Sequence, residues 1–489
     1  MPLTIESPAY LHVLQNVSLI IIAISFIPLN TAILITSLVL AFASSFFKNA
    51  TSAGPKHQSP YPAPKRILVT GVGMCKGLFL TRSFHKAGHV VIGADFEPQY
   101  IPVCGRFSSS LKRFYRLPPA TGKGTYAESV LQIVEREKID IWISCSGVKS
   151  AVEDGEAAEA VEQHTKCRAI QFGASLTQLL HEKPSFIQNT DILGLNVPET
   201  LLITSVEEGM AALKSAKEKK YILKIVGVED PVRGDLTLLP LPSESSTRRH
   251  LSKFQPSVLR PFILQQFIQG PEYCTHSVII RGRVAAFTAC KSAELLMHYE
   301  PLPQSDPVFE ALLEYTMKYA ERMKSNMTGH FSVDILVDDR DSAKSFEDRL
   351  FPVECNPRAH TAVVNFGNQT ELMVKAYLDV LSPTPADIGA FIPSSTVKHY
   401  WVGHDFITRM LLPVLALLQG TKSLEEVMER WREFLQHVLL WKDPTYDIHD
   451  PWPAWWLYCV YWPGIFFWSI VHKDWWSRCN VSTGRIFRC

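Results

Sequence analysis

The sequence predicts a mixed α/β protein in which a parallel-sheet domain precedes a two-part α+β body, flanked by an apolar N-terminal segment and an aromatic tail. Three observations carry this. RILVTGVGMCKGLFLTRSFHKAGHVVIGAD, opening at Arg66, reads as strand, glycine turn, helix and strand. From Tyr221 onward strands dominate, and a helix then leads into an apolar hairpin. At 489 residues the chain exceeds one ordinary core, so roughly three domains are expected.

The bulk numbers remove several classes. Lys plus Arg (49) balances Asp plus Glu (48), leaving no electrostatic footprint for nucleic acid. With 46% hydrophobic and 20% charged residues the chain is globular. Its ten cysteines are scattered without a CxxC pair, which argues for free thiols in a reducing compartment and against a zinc motif.

Residues 1–48 read as a hydrophobic membrane anchor or a re-entrant hairpin. No charged residue lies between Glu6 and Lys48, and 17–47 is nearly continuous apolar sequence, longer than the roughly 20 residues a bilayer core requires. A cleaved signal peptide would be shorter and preceded by positive charge. Pro28-Leu29-Asn30 falls mid-segment, leaving one kinked span or a hairpin open. Lys48, Lys56, Lys65 and Arg66 follow, which puts the body on the cytosolic side. Residues 49–64, rich in Pro, Ser and Ala, form a linker.

Next, Ile67–Thr70 reads as a buried strand, Gly71–Gly77 as a turn, Leu78–Ala87 as a helix and Val90–Ala94 as a strand ending at Asp95. A helix over Tyr126–Glu137 and a strand over Asp140–Cys145 continue the alternation of a parallel sheet, giving an α/β domain over 65–175. The turn also admits a nicotinamide-binding reading with Asp95 on a ribose, though its spacing is GxGxxxG.

Within 176–385, the stretch 176–215 reads as helical, interrupted at 194–204. Strands follow at Tyr221–Val226, Phe262–Phe267, Cys274–Ile280 and Val284–Ala289, then a helix over Val308–Met323. Phe331, Val333, Ile335 and Val337 alternate with Ser332 and Asp334. Phe351, Val353 and Cys355 alternate with Pro352, Glu354 and Asn356. Paired as an antiparallel hairpin, these strands put Asp334, Glu354 and Asn356 on one wall, an oxygen-only set that suits magnesium with nucleotide phosphates. Lys224 sits in Tyr-Ile-Leu-Lys-Ile-Val, apolar enough for a buried strand, where its ammonium needs an anion such as phosphate. Gln265-Gln266-Phe267-Ile268, then Gly270 and Glu272, offer a hinge for a flat base and a carboxylate for ribose hydroxyls. Region 386–489 reads as helical. Eight of the eleven tryptophans lie between Trp441 and Trp476, forming either an interfacial patch or a packing layer.

In this order of landmarks the chain resembles the ATP-grasp ligases. Lys183, Lys224, the hinge from Gln265 to Glu272, Asp334 and Glu354-Cys355-Asn356-Pro357-Arg358 carry the resemblance over about 67–380. It implies a pre-ATP-grasp α/β domain and two α+β subdomains gripping ATP. Carried over, Lys183 and Lys224 contact phosphates, Gln265, Gln266, Phe267 and Ile268 flank adenine, and Glu272 takes the ribose. Asp334, Glu354 and Asn356 hold magnesium, for which manganese can substitute, and Arg358 faces the transferred phosphoryl group. Within the family the chain is similar to the mycosporine-glycine synthase group and related ligases of secondary-metabolite clusters. Arg106-Phe107-Ser108, Asp230-Pro231-Val232-Arg233, Glu272 to Ser277 and Glu354 to His360 carry that likeness. Two departures stand out. The loop GVEDPVRGDLT is poor in glycine, so Arg233 substitutes for backbone cradling of phosphate. Ser332 stands where many members carry an arginine.

The resemblance implies an ADP-forming carbon–nitrogen ligase. A carboxylate or enol is phosphorylated by ATP and then meets an amine, such as an amino acid, with His276 and His360 as candidates for reading substrate. The alternatives are a membrane-bound protein that binds ATP without chemistry, and a nicotinamide-dependent oxidoreductase.

Overall fold

The structure is a computed structural model that describes residues 3–51, 63–119, 125–145, 147, 150–215, 219–226, 235–292, 297–323, 327–340, 343–383 and 389–489. Helix α1 (Ala9–Thr51) is a single helix that runs through Pro28, so Pro-Leu-Asn does not turn the chain back. It continues into the stretch expected as a linker, of which 52–62 lie outside the described residues.

The first sheet is parallel, with order β3-β2-β1-β4-β5: β1 (Arg66–Thr70), β2 (Val90–Phe96), β3 (Arg113–Leu117), β4 (Ile141–Ser144) and β5 (Arg168–Ile170). Helix α2 (Cys75–Lys86) starts three residues earlier than expected, because the glycine turn itself feeds the helix. Gly77 is obligatory there, since a Cβ would stand 2.3 Å from the Gly71 carbonyl oxygen. Helices α3 (Thr125–Glu137) and α4 (Ala151–His164) cover one face with Leu68, Ile92, Trp142 and Val161 in a common core.

Two antiparallel sheets form the body. One has order β6-β9-β7-β8: β6 (Thr200–Ile203), β7 (Tyr221–Ile225), β8 (Leu238–Leu239) and β9 (Phe262–Gln266). It packs on α7 (Val206–Ser215) and α8 (Glu244–Phe254). The helical reading of 176–215 resolves into α5 (Ala174–His181), α6 (Lys183–Ile192) and α7, with β6 inside the interruption.

The other sheet has order β11-β10-β13-β14: β10 (Glu272–Ile280), β11 (Arg283–Lys291), β13 (Gly329–Val337) and β14 (Leu350–Asn356). One face packs on α5, α6 and α9 (Pro307–Arg322) through Phe287, Phe331, Val333 and Ile335. Its other face joins α2, α10 (Thr370–Leu378) and the first sheet in a second core containing Val278, Cys290, Tyr377 and Trp401. The alternation expected on β14 breaks. The register shifts between Asp334 and Ile335, so Pro352 pairs with Ile335 and Phe351 turns toward the half-exposed side. Proline has no N–H for the ladder, and a bulge beside it is the usual outcome.

Strand β12 (His298–Tyr299) pairs with β15 (His399–Tyr400), which leads into the C-terminal region. There α11 (Val402–Asp405), a π-turn (Phe406–Leu411), α12 (Leu412–Leu418) and α13 (Leu424–Leu440) precede α14 (Trp452–Trp456) and α15 (Trp462–His472). A hairpin of β16 (Trp476–Asn480) and β17 (Arg485–Arg488) closes the chain. The tryptophans mostly pack: Trp462 and Trp476 share a core with Cys104 of the first domain and with Leu19 and Ile20 of α1.

Candidate active site

The antiparallel register places Asp334 opposite Glu354, and residues paired across a ladder project to the same side. Asn356, two positions on, donates from Nδ2 to Asp334 Oδ2 at 3.2 Å. Glu354 Oε2 lies 2.7 Å from Lys183 Nζ at the first position of α6. Burial, then the Glu354 charge, push the Asp334 carboxyl well above the usual range. Two acids facing each other across the ladder repel, which a cation between them would relieve. The two carboxylates fit a hard divalent cation, while the Asn356 amide oxygen, expected beside them, is taken by Arg358.

Lys224 enters from the other sheet. Strand β7 is two-faced, which corrects the buried strand read from sequence: Tyr221, Leu223 and Ile225 point inward, while Ile222 and Lys224 stay half-buried. Lys224 Nζ donates to Gln265 Oε1 at 2.7 Å, a neutral acceptor. Desolvation, then the like charge of Lys183, bring its pKa down to about 8, against the opposing pull of Glu354, Glu272 and Asp334. Lys183 and the three acids thus all act on the Lys224 ammonium.

Gln265 is buried and donates to Thr200 Oγ1 at 3.3 Å. The hinge N–H groups offered to a base are partly committed. Gln266 N–H donates to Glu199 O and Phe267 N–H to Lys220 O, each at 2.7 Å. That expectation is corrected at these two groups. Ile268 is buried, and Glu272 is exposed at the head of β10. Gly270 is obligatory because a Cβ would meet the Val337 carbonyl oxygen at 1.8 Å. Arg233 lies outside the described residues.

Arg358 donates from Nη2 to Asn356 Oδ1 at 2.6 Å. Its Nη1 has no hydrogen-bond partner among the described residues. Burial pulls its pKa below the usual value. Behind it His276 is fully buried, with Nδ1 accepting the His360 backbone N–H at 3.3 Å. Desolvation and the neighbouring His330 hold it neutral, far below the usual imidazole pKa. His276 therefore props the segment that carries Arg358 and has no exposed surface. His360 caps the turn Thr361–Phe366 by accepting from Ala362 N–H at 3.2 Å. Ligating atoms of His360, Cys274 and Asp334 all lie within 4.8 Å of one another.

Sequence reasoning missed Lys76. Buried at the start of α2, it donates to the Ala359 carbonyl at 2.7 Å and so ties the glycine turn to the Arg358 segment. Burial, then the Arg358 charge, lower it to about 8. Its partner lies 283 residues away, so only a lysine amid glycine-turn residues could have signalled it. The turn is otherwise closed. Asp95 accepts from Gly73 N–H at 2.6 Å and Phe96 N–H at 2.7 Å. Cys75 N–H at the head of α2 donates to the Ser482 carbonyl at 3.0 Å. The N–H groups and acid that a dinucleotide requires are thus engaged within the protein.

No protein-family model and no curated protein matches the chain. Solved structures do. The ADP complex of PurK, N5-carboxyaminoimidazole ribonucleotide synthetase, is 11% identical with a TM-score of 0.53, covering 79% of this chain and 100% of that one. An L-amino acid ligase from Bacillus licheniformis is 14% identical, covering 66% of this chain and 76% of that one at a TM-score of 0.46. The biotin carboxylase domain of Hydrogenobacter thermophilus 2-oxoglutarate carboxylase, with MgADP and bicarbonate, is 12% identical, covering 68% and 72% at 0.49. The fold is the ATP-grasp fold.

Proposed function

We propose that the chain is an ATP- and magnesium-dependent, ADP-forming ligase that joins an amine to a phosphate-activated carboxylate or enol. One observation carries this: Asp334 and Glu354 are in register on one wall, with Lys183 paired to Glu354 and Lys224 close enough to feel both acids. Asp334, Glu354 and Asn356 would hold the cation. Magnesium bound there, or manganese in its place, would draw negative charge from the phosphates. Lys183 and Lys224 bind phosphate oxygens, and ATP supplies the anion that Lys224 lacks. Gln265 positions Lys224, the segment Gln266–Ile268 lies along the base, and Glu272 accepts from the ribose. By the family resemblance, Arg233 would supply a further cation to the same phosphates.

The first step forms a bond from a substrate oxygen to the γ-phosphorus and breaks the bond to the β-phosphate oxygen, releasing ADP. Arg358, with one amino group open, offsets charge on the phosphoryl group in flight. In the second step the amine nitrogen displaces phosphate and loses a proton. His360, near Asp334, would read the incoming substrate. The likeness to the mycosporine-glycine synthase group supports an amino acid as the amine and a role in secondary metabolism. Attachment to a membrane through α1, with the body in the cytosol, follows from the uncharged segment and the cations after it.

The test is to incubate the purified full chain with ATP, magnesium and pools of small acids and amino acids, and to identify the nucleotide product. ADP with a new amide or imine is expected. AMP would overturn the mechanism.

A further inference from the structure

Helix α1 carries two different faces. Its inner stripe sets polar side chains among Leu19, Ile20 and Leu34 and is fastened to the C-terminal region. His12 stacks on Trp475 with ring centroids 5.1 Å apart, and Asn16 Oδ1 accepts from Trp476 Nε1 at 3.0 Å. Asn30 donates to Cys459 Sγ at 3.5 Å, and Thr31 Oγ1 accepts from Trp455 Nε1 at 3.1 Å. Ser37 Oγ meets Tyr446 OH at 2.7 Å. Ahead of α1 the chain is held too, as Cys489 Sγ donates to Leu3 O at 3.4 Å. The outer stripe, with Ile21, Ile24, Ile35, Val39 and Phe42, is exposed and uncharged. Beside it, Leu415 and Leu418 of α12 and Leu435 and Leu439 of α13 are exposed as well.

From this placement we propose that α1 lies in the plane of one phospholipid leaflet, with its outer stripe at the headgroup–acyl boundary, and does not cross the bilayer. The proposal rests on the membrane attachment given above and fixes its geometry. Contacts from His12 to Ser37 run ~38 Å along the helix at about 1.5 Å per residue. That exceeds a hydrocarbon core of about 30 Å, so a crossing helix would drag the flank of the body through the bilayer. Midway along the contact, Phe26 packs edge-on to Phe406 at 4.8 Å. Phe406 adjoins Asp405, which holds His298 at 2.7 Å, His437 at 2.5 Å and Arg409 at 3.5 Å, with Glu433 paired to Arg409. Crossing would set this ionic cluster near the midplane, where charge is most costly. Lying flat keeps it on the aqueous side. A bilayer fits the outer stripe better than a second copy of the chain does, because protein interfaces interleave hydrogen bonds and a polar rim and this stripe supplies neither charge nor amide.

The experiment compares Ile24→Cys with Ile35→Cys in a full chain whose half-exposed Cys479 and Cys489 are replaced by serine. Each cysteine carries a fluorophore, in vesicles of phosphatidylcholine brominated at shallow or at deep acyl carbons. The two probes lie ~16 Å apart along the helix, and crossing with Phe26 near the midplane would set Ile24 deep and Ile35 shallow. Flat seating gives equal quenching of both, strongest with shallow bromine. Unequal depths would overturn flat seating and leave membrane attachment standing. Failure to bind vesicles, with self-association in sedimentation, would overturn both and assign the stripe to a second copy. Circular dichroism matching the parent chain excludes misfolding as the cause.

Discussion

Two places in this chain carry a nucleotide-site pattern, and the structure treats them in opposite ways. At the Gly71–Gly77 turn the acid and the glycine N–H groups that suggested a dinucleotide are answered from within. Asp95 accepts from Gly73 and Phe96, the head of α2 meets Ser482, and Lys76 reaches Ala359. At the β13–β14 hairpin the groups are gathered and left in surplus. Asp334 faces Glu354, Lys224 has only a neutral acceptor, and Arg358 Nη1 has no partner among the described residues. A buried polar group left short of its partner costs free energy, so such groups mark where a ligand belongs. A motif with its donors and acceptors satisfied internally is architecture.

The sharpest way to break this contrast is Glu354→Gln. Loss of one anionic ligand should cut ATP turnover at least about a hundredfold, several kcal/mol of transition-state stabilisation, while circular dichroism is unchanged. Near-normal ADP release at saturating magnesium would remove the metal assignment. Next comes Lys224→Met, which should weaken ATP binding about 10- to 100-fold, matching ~1.5–3 kcal/mol for a charged hydrogen bond. Turnover should fall alongside, since the contact exists before and during the reaction. Thermal stability should hold or rise, because among the described residues the desolvated ammonium hydrogen-bonds only to a neutral amide. Unchanged affinity with a large stability loss would make Lys224 a structural residue.

The same lysine sets a pH dependence. Its folded-state pKa of about 8 lies below the usual 10.5, as does that of Lys76. Between those values the unfolded chain binds more protons, so stability rises with pH across that window. Denaturant unfolding at several pH values should show the rise, and Lys224→Met should flatten part of it and leave the share due to Lys76. A flat parent profile would contradict the placement of both lysines. The smallest effect on nucleotide is expected from Asp95→Asn. Leaving one backbone N–H of the turn unsatisfied should lower stability by about 1–3 kcal/mol with ATP affinity unchanged. Titration with nicotinamide dinucleotide should give no binding, and saturable binding lost in this variant would restore the oxidoreductase reading.

What the sequence disclosed divides along the range of the interactions. The hairpin register was legible because Phe331, Val333 and Ile335 alternate with Ser332 and Asp334, and a strand's period of two fixes the side of every residue. The bulge at Pro352 escaped, since a single break looks like continued alternation. Strand β6 was hidden inside an expected interruption, as four residues are too few for periodicity to register. The roles of Lys76 and Ser482 depend on partners hundreds of residues away. Helix α1 was legible as an apolar segment, but its inner stripe of His12, Asn16, Asn30 and Ser37 gained meaning only when the tryptophans of the tail were found against it.

The central claim is that the hairpin, and not the glycine turn, is the metal–nucleotide site. Calorimetric titration of ATP with and without magnesium, run in parallel on the parent chain, Glu354→Gln and Asp95→Asn, tests it directly. Magnesium should tighten ATP binding in the parent and in Asp95→Asn, and that gain should vanish in Glu354→Gln. A magnesium effect that survives Glu354→Gln, or one that disappears with Asp95, would contradict the claim.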